Sequence, residues 1–272
     1  MFRISCFADE ISPDLIEQVR VMKSLGIKYV ELRSVENKNV LDLTDDDAKR
    51  IKEVFDENGI TVSSIGSPLG KVDIDCDFEA YLEKVRRAIA LAEFFGTKYI
   101  RIFSFYHEGK TLEECRGKVM ERLSLMLGVA KKSGIVLCHE NEAAIYGEKG
   151  NECRDICVTL RDENFRSVLD PANYVLANER PYECLKQTHE FIEYLHIKDA
   201  ITKTREIVPA GEGDGQVSEI LDFLRYHDGM FLTLEPHLAV AGKMRGFSGE
   251  ELFGTAYRAL TGILQKLGIK YE

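Results

Sequence analysis

The chain has 272 residues, 44% of them hydrophobic and 30% charged, with no Trp and with 46 acidic against 36 basic side chains for a formal charge of −10. That composition excludes a disordered, collagen-like or disulfide-scaffold chain, and at this length about three quarters of the unfolded surface can be buried without staples. The acidic excess, with no basic block or stripe, argues against nucleic acid as a partner, and no window approaches about 18 uninterrupted apolar residues, so no membrane span is expected.

The N-terminus, MFRISCFADE, reaches Asp9 before an apolar leader develops, and a cytoplasmic location is expected. Residues Phe2 to Cys6 read as an opening strand. From there a helical stretch repeatedly ends at a Gly and a β-branched or aromatic run follows at once: Gly26 before IKYVELR, Gly59 before ITVSSIG, Gly96 before TKYIRIF and Gly134 before IVLCHEN, at intervals of 33, 37 and 38 residues. A Gly there can take the left-handed conformation that ends a helix. Helical periodicity precedes three of them: Leu15, Val19, Met22 and Leu25, then Ile51, Val54 and Phe55, then Leu82, Val85, Ile89 and Ala92. Further strands are expected near 166–169, 191–197 and 230–234, and helices near 152–161, 181–189, 217–227 and 249–267.

Eight βα units averaging 34 residues suit a closed α/β barrel, a (β/α)8 barrel forming one domain over 1–272. The competing open, doubly wound sheet lacks a G-x-G-x-x-G turn after the first strand. Seven cysteines, an odd set with no C-x-x-C pair, suit reduced thiols; Cys153 and Cys157 could share a helix face but lack a third ligand nearby.

In such a barrel the chemistry sits where the strands stop. VLCHE ends at Glu140, SVLD at Asp170, YLH at His196 and LTLE at Glu235, so four consecutive strands place Glu, Asp, His and Glu on one rim. If Glu140 points into the mouth, strand alternation turns His139 toward the helices. Three carboxylates and an imidazole converging without a cation would repel one another. A single divalent ion resolves this, and the oxygen-rich set suits Mn²⁺, Mg²⁺ or Co²⁺ without excluding Zn²⁺.

These segments, HEN (139–141), LDPAN (169–173), HIKDA (196–200), GEGDG (211–215) and LEPH (234–237), resemble the xylose isomerase-like TIM barrels, which include sugar epimerases, inosose dehydratases and hydroxypyruvate isomerase. The resemblance covers essentially the whole chain. It implies that Glu140, Asp170, His196 and Glu235 hold one metal. By likeness to the ketose 3-epimerases, it also implies that Glu140 and Glu235 carry protons on opposite faces of a small sugar or polyol. A C–H beside a carbonyl is a very weak acid, so such chemistry needs an enediolate stabilised by a Lewis acid and a carboxylate within reach. Two positions depart from the epimerase pattern: Asn173 and Glu142 stand where relatives often carry His.

Further expectations concern the surroundings. His237, Lys198, Asn173, Arg101 and His107 are candidate substrate contacts, with Phe105 beside His107 and Arg33 as a further candidate at the mouth. Asp199 is a candidate to orient a ligand ring from behind. GEGDG could cradle a phosphate through its N–H groups, but its two acids favour a neutral sugar; Lys243 and Arg245 of GKMRG point the other way. The alternatives are an inosose-type dehydratase on the same metal site, a non-catalytic sugar-binding barrel, and abasic-DNA hydrolysis, which needs a zinc cluster with more ligands than this chain offers. A homo-oligomer is left open.

Overall fold

In the computed structural model, residues 1–238 and 248–272 are described; Lys243 and Arg245 lie outside them. Eight parallel strands form one sheet: β1 (Arg3–Cys6), β2 (Tyr29–Leu32), β3 (Thr61–Ile65), β4 (Tyr99–Ile102), β5 (Val136–Glu140), β6 (Phe165–Leu169), β7 (Ile192–Ile197) and β8 (Phe231–Leu234). Neighbours in sequence are neighbours in the sheet from β2 through to β8, β8 pairs back onto β1, and β1 packs against β2, so the sheet curls into a nearly closed barrel. This is the (β/α)8 architecture expected from the repeat.

Outside the strands lie α1 (Leu15–Ser24), α2 (Asp45–Glu57), α3 (Phe78–Phe95), α4 (Leu112–Ala130), α5 (Gly150–Thr159), α6 (Pro171–Leu176), α7 (Pro181–Thr188), α8 (Val217–Phe223) and α9 (Gly249–Lys266). The periodic residues of α1 to α3 face inward: Leu15, Val19 and Met22, Ile51 and Phe55, and Leu82, Val85, Ile89 and Ala92 are all buried. Gly96 closes α3 at φ +75° and Gly134 precedes β5 at φ +65°, the left-handed conformation an L side chain resists. The helix α6 was not expected, although Asp-Pro is a start signal: Asp170 accepts from Asn173 N–H at 2.9 Å as the cap, and Pro171 needs no hydrogen bond in the first turn.

The seam between β1 and β2 has its own closure. Residues 270–272 run beside β1, where Phe2 N–H donates to Lys270 C=O (3.0 Å) and Ile4 N–H to Glu272 C=O (2.8 Å). Tyr29 of β2 donates its hydroxyl to Glu272 Oε1 at 3.4 Å. All seven cysteines are free thiols, six of them buried. Among the described residues no helix is long and apolar enough to cross a membrane.

Candidate functional site

Each strand end delivers its side chain to the same place. Glu140 is the last residue of β5, His196 the fifth of β7, and Asp170 and Glu235 directly follow β6 and β8. One donor atom from each of the four lies within 4.8 Å of the others, and all four residues are buried. His139 faces away, its Nε2 on Ser104 Oγ at 2.9 Å, and burial pushes it down to about 4.

Cations interleave with the carboxylates. Lys198 Nζ lies 2.7 Å from Asp170 Oδ2 and 3.4 Å from Glu235 Oε2. Arg101 reaches Glu140 Oε2 at 3.4 Å and donates to the Gly66 carbonyl. Arg33 donates to Asp9 (2.7 Å), Glu10 (2.8 Å) and Glu235 (2.8 Å) at once, with its guanidinium 4.3 Å from the centre of the Phe7 ring. Phe7 also presents an edge to His196 at 5.0 Å. Gly66 has to be Gly here, since a Cβ would stand 2.7 Å from Phe7 and 3.3 Å from Glu31.

His196 is clamped from both sides. Its Nδ1 faces Glu140 Oε1 (2.9 Å) and Glu235 Oε2 (3.5 Å), and its Nε2 meets Glu31 Oε2 at 3.2 Å. Glu31 also accepts from Tyr194 OH (3.0 Å) and Thr233 Oγ1 (3.1 Å), so a fully buried carboxylate fixes the imidazole plane. This is the service expected of Asp199, and the structure corrects that expectation. Asp199 instead accepts backbone N–H groups from Ala200 (2.8 Å), Gly211 (2.9 Å), Gly213 (3.1 Å) and Gly215 (2.7 Å). The glycines are needed for this wrapping, because a Cβ on Gly213 or Gly215 would fall 2.4 or 2.5 Å from Asp199 Oδ1. The N–H groups that could have met a phosphate are thus turned onto the chain's own carboxylate.

The other expected contacts divide. Arg33, Arg101, Asn173, Lys198 and His237 line, with Glu140 and Glu235, a cavity of about 420 Å³ at the mouth. His237 Nε2 lies 3.2 Å from both Glu10 and Glu235, and Asn173 donates to the Asn141 carbonyl (2.9 Å) and Glu140 Oε1 (3.4 Å). His107 is not part of this wall: its Nδ1 meets the Lys110 carbonyl at 3.1 Å in the loop after β4, and Phe105 is buried against Phe78 and Tyr81. A larger cavity of about 690 Å³ opens between Glu179–Pro181 and the 211–219 segment. Convergence of buried charge, which that cavity lacks, singles out the mouth.

The electrostatics leave room for a cation. Burial opposes ionisation of Glu140, but the charge and hydrogen bond of His196, with Arg101, hold it down at about 2. Burial also opposes the His196 imidazolium, yet Glu140 and Glu31 lift it to about 10. Asp170 moves the other way, to about 6, because burial and the charges of Glu235 and Glu140 outweigh Lys198. Six buried acids, Asp9, Glu10, Glu31, Glu140, Asp170 and Glu235, face three fixed cations and the two imidazoles of His196 and His237. Glu140 Oε2 and Asp170 Oδ2 are buried and held only by the ion pairs to Arg101 and Lys198. Glu140, Asp170, His196 through Nδ1 and Glu235 could therefore hold a divalent ion, which would displace the imidazolium proton.

A family model described as xylose isomerase-like TIM barrel matches residues 19–256. A search of curated proteins returns no match. Among solved structures, one of the IolI protein with a binding zinc atom superposes with a TM-score of 0.80 at 18% identity, over 97% of this chain and 99% of that one. A D-tagatose 3-epimerase-like protein gives 0.79 at 15% identity over 98% of both chains. The probable 3-DHS dehydratase AsbF from Bacillus anthracis gives 0.77 at 17% identity, over 96% of this chain and 99% of that one. At such identities the likeness to these three is one of fold.

Proposed function

The chain belongs to the xylose isomerase-like TIM barrel family, and from that premise we propose that it is a metal-dependent isomerase or epimerase of a small sugar or polyol. The observation that carries the reading is the convergence of Glu140, Asp170, His196 and Glu235 on one point, each buried, with a donor atom of each within 4.8 Å of the others. The four residues are the ligands of the ion. Mn²⁺, Mg²⁺ and Co²⁺ suit their oxygens, and the zinc in the IolI structure keeps Zn²⁺ in the set. When bound, the ion supplies Lewis-acid charge that lowers the cost of an enediolate.

The chain's own groups do the rest. Glu140 and Glu235 are both held ionised, Glu235 well below the usual carboxylate range despite burial, by Lys198, His237 and His196. Each can therefore accept a proton from a carbon beside the carbonyl and return it, one for each face of the substrate. Arg101, Lys198 and His237 donate to substrate oxygens, and Asn173 can hydrogen-bond a hydroxyl but not titrate. The mouth's size and polarity suit a polyhydroxyl molecule. A dehydratase reading keeps the same residues and draws support from the likeness to AsbF; it differs in expelling a hydroxyl after proton removal.

The test is metal content of purified wild type beside His196→Ala, then reconstitution with Mn²⁺ or Co²⁺ and a ketose screen for proton exchange in deuterated water. About one equivalent of metal, lost in the variant, with exchange and no change in product mass, is expected. Loss of water from the product would select the dehydratase, and no metal under any loading would leave a binding barrel.

A further inference from the structure

The wall of the mouth carries an ion pair that the ligand set does not use. Lys71, in the loop after β3, places Nζ 2.6 Å from Glu142 Oε2 in the loop after β5, and both residues line the mouth cavity. They form its outer part. Their side chains are 33% and 24% exposed, whereas those of Glu140, Asp170, His196 and Glu235 are 5% exposed or less. A molecule that reaches outward from the ligand set meets this pair with its far end.

Both partners are held in place. The Lys71 ammonium lies 4.3 Å from the centre of the Phe103 ring, which the Arg101 guanidinium approaches at 4.9 Å. The backbone before Lys71 is fixed as well: Gly70 takes φ +93°, a Cβ there would stand 2.1 Å from the Phe103 carbonyl oxygen, and Phe105 N–H donates to Gly70 C=O at 3.0 Å. Glu142 is engaged through both oxygens, Oε2 by Lys71 and Oε1 by the Ala143 N–H at 2.9 Å. A pair ordered before anything binds reads a ligand at little further entropic cost.

The placement of charge says what the pair can read. Among the described residues every lysine and arginine lining the mouth already has a carboxylate. Arg33 has Asp9, Glu10 and Glu235, Arg101 has Glu140, Lys198 has Asp170 and Glu235, and Lys71 has Glu142. Glu142 stands outside the ligand set, so it still answers Lys71 when an ion takes up the other carboxylates. A hydroxyl at this end finds both of its needs, an acceptor in Glu142 and a donor in Lys71. A phosphate brings only acceptor oxygens and a charge of about −2. It meets Glu142 as a like charge and can take Lys71 only by displacing that carboxylate.

We propose that Lys71 and Glu142 are the specificity pair of this site: they select an uncharged ketose through a hydroxyl remote from its carbonyl, and Glu142 rejects the phosphorylated form. The inference rests on the metal-dependent sugar reading above and assigns the choice between free and phosphorylated sugar to these two residues.

The test uses the full chain loaded with Mn²⁺ and titrated calorimetrically with fructose, tagatose and xylulose, each paired with its terminal monophosphate. For at least one pair the free ketose is expected to bind about tenfold or more tightly than the phosphate. Glu142→Gln keeps an oxygen for the Ala143 N–H and removes the charge, and it is expected to cut that ratio at least about tenfold by raising phosphate affinity. Lys71→Met is expected to weaken ketose binding about tenfold, and combining it with Glu142→Gln is expected to abolish the gain for the phosphate. A wild type that prefers the phosphates, a ratio that Glu142→Gln leaves unchanged, or a gain that persists in the double variant overturns the specificity pair and leaves the sugar reading standing. No binding of any ketose, free or phosphorylated, overturns the sugar reading, and the pair with it.

Discussion

The two halves of the barrel mouth divide the charge between them. Strands β5 to β8 end in the converging set, Glu140, Asp170, His196 and Glu235, and add one lysine, Lys198. Strands β1 to β4 and their loops supply the two guanidiniums of Arg33 and Arg101, together with Asp9, Glu10 and Glu31. The late half gathers three buried carboxylates around one imidazole and one lysine. The early half is the frame that tolerates it, because buried carboxylates are stable only with counter-ions held in place. A site of this kind is thus two constructions, one that would grip an ion and one that makes the grip affordable when the ion is away.

The largest expected effect comes from cutting the link between the halves. Arg33→Met leaves Asp9, Glu10 and Glu235 without their shared partner, and urea unfolding should show a loss of about 3–5 kcal/mol. Adding Glu235→Gln to it should cost less than the sum of the two single changes, since the uncompensated charge is then gone. Strict additivity would mean that the halves do not hold each other.

A somewhat smaller effect separates the two faces of β5, where Glu140 looks inward and His139 outward. His139 is held neutral by burial, at about 4 in the folded chain against about 6.5 unfolded. Above pH 6.5 this adds nothing. As pH falls from 6.5 to 4 the unfolded chain takes up a proton that the folded chain refuses, so stability drops by about 3 kcal/mol and then levels off. His139→Gln should remove that part of the acid sensitivity, measured as the difference between the two stability curves over this window. Parallel curves would sink the assignment.

The smallest effect sharpens the contrast within the frame itself. Glu31→Gln should leave the barrel folded, since the amide oxygen can still accept from Thr233 while the amide NH2 donates to the Tyr194 hydroxyl, which keeps Ser64 as its other partner, but should weaken metal binding about 10–100-fold in a chelator competition, with Glu31→Asp nearer wild type. Unchanged affinity would show that the imidazole plane is fixed without Glu31.

The late half was legible and the early half was not, for a physical reason. An acid or imidazole at the end of an apolar run announces itself, and the repeating helix, Gly and strand units order four such ends around one axis. The parity of β5 even turned His139 outward correctly. The direction of Arg33 and Arg101, by contrast, depends on acids that lie far off in the chain: Glu10 and Glu235 for one, Glu140 for the other. Glu31 sits in YVELR and looks from sequence like a partner for a nearby arginine, whereas its actual partner, His196, is 165 positions away. Asp199 was misassigned because its partners are backbone N–H groups, which a sequence hides except through the glycines that expose them. His107 failed for want of a loop path, since nothing in FYHEGK says whether the chain turns over the mouth or away from it. The start of α6 is written in Asp-Pro, with Asp170 as its cap and Pro171 in its first turn.

The run of residues 270–272 along β1 bears on how the molecule behaves in company. A strand with unpaired N–H and C=O groups is a template on which another chain can lay its own strand, and the β1–β2 seam is where this sheet would offer one. By pairing with Phe2 and Ile4, the last residues occupy that template from within. The barrel thereby guards itself against edge-to-edge association with a segment of only a few residues. Anything that peels this segment away would turn a closed surface into a sticky one without disturbing a single group in the mouth.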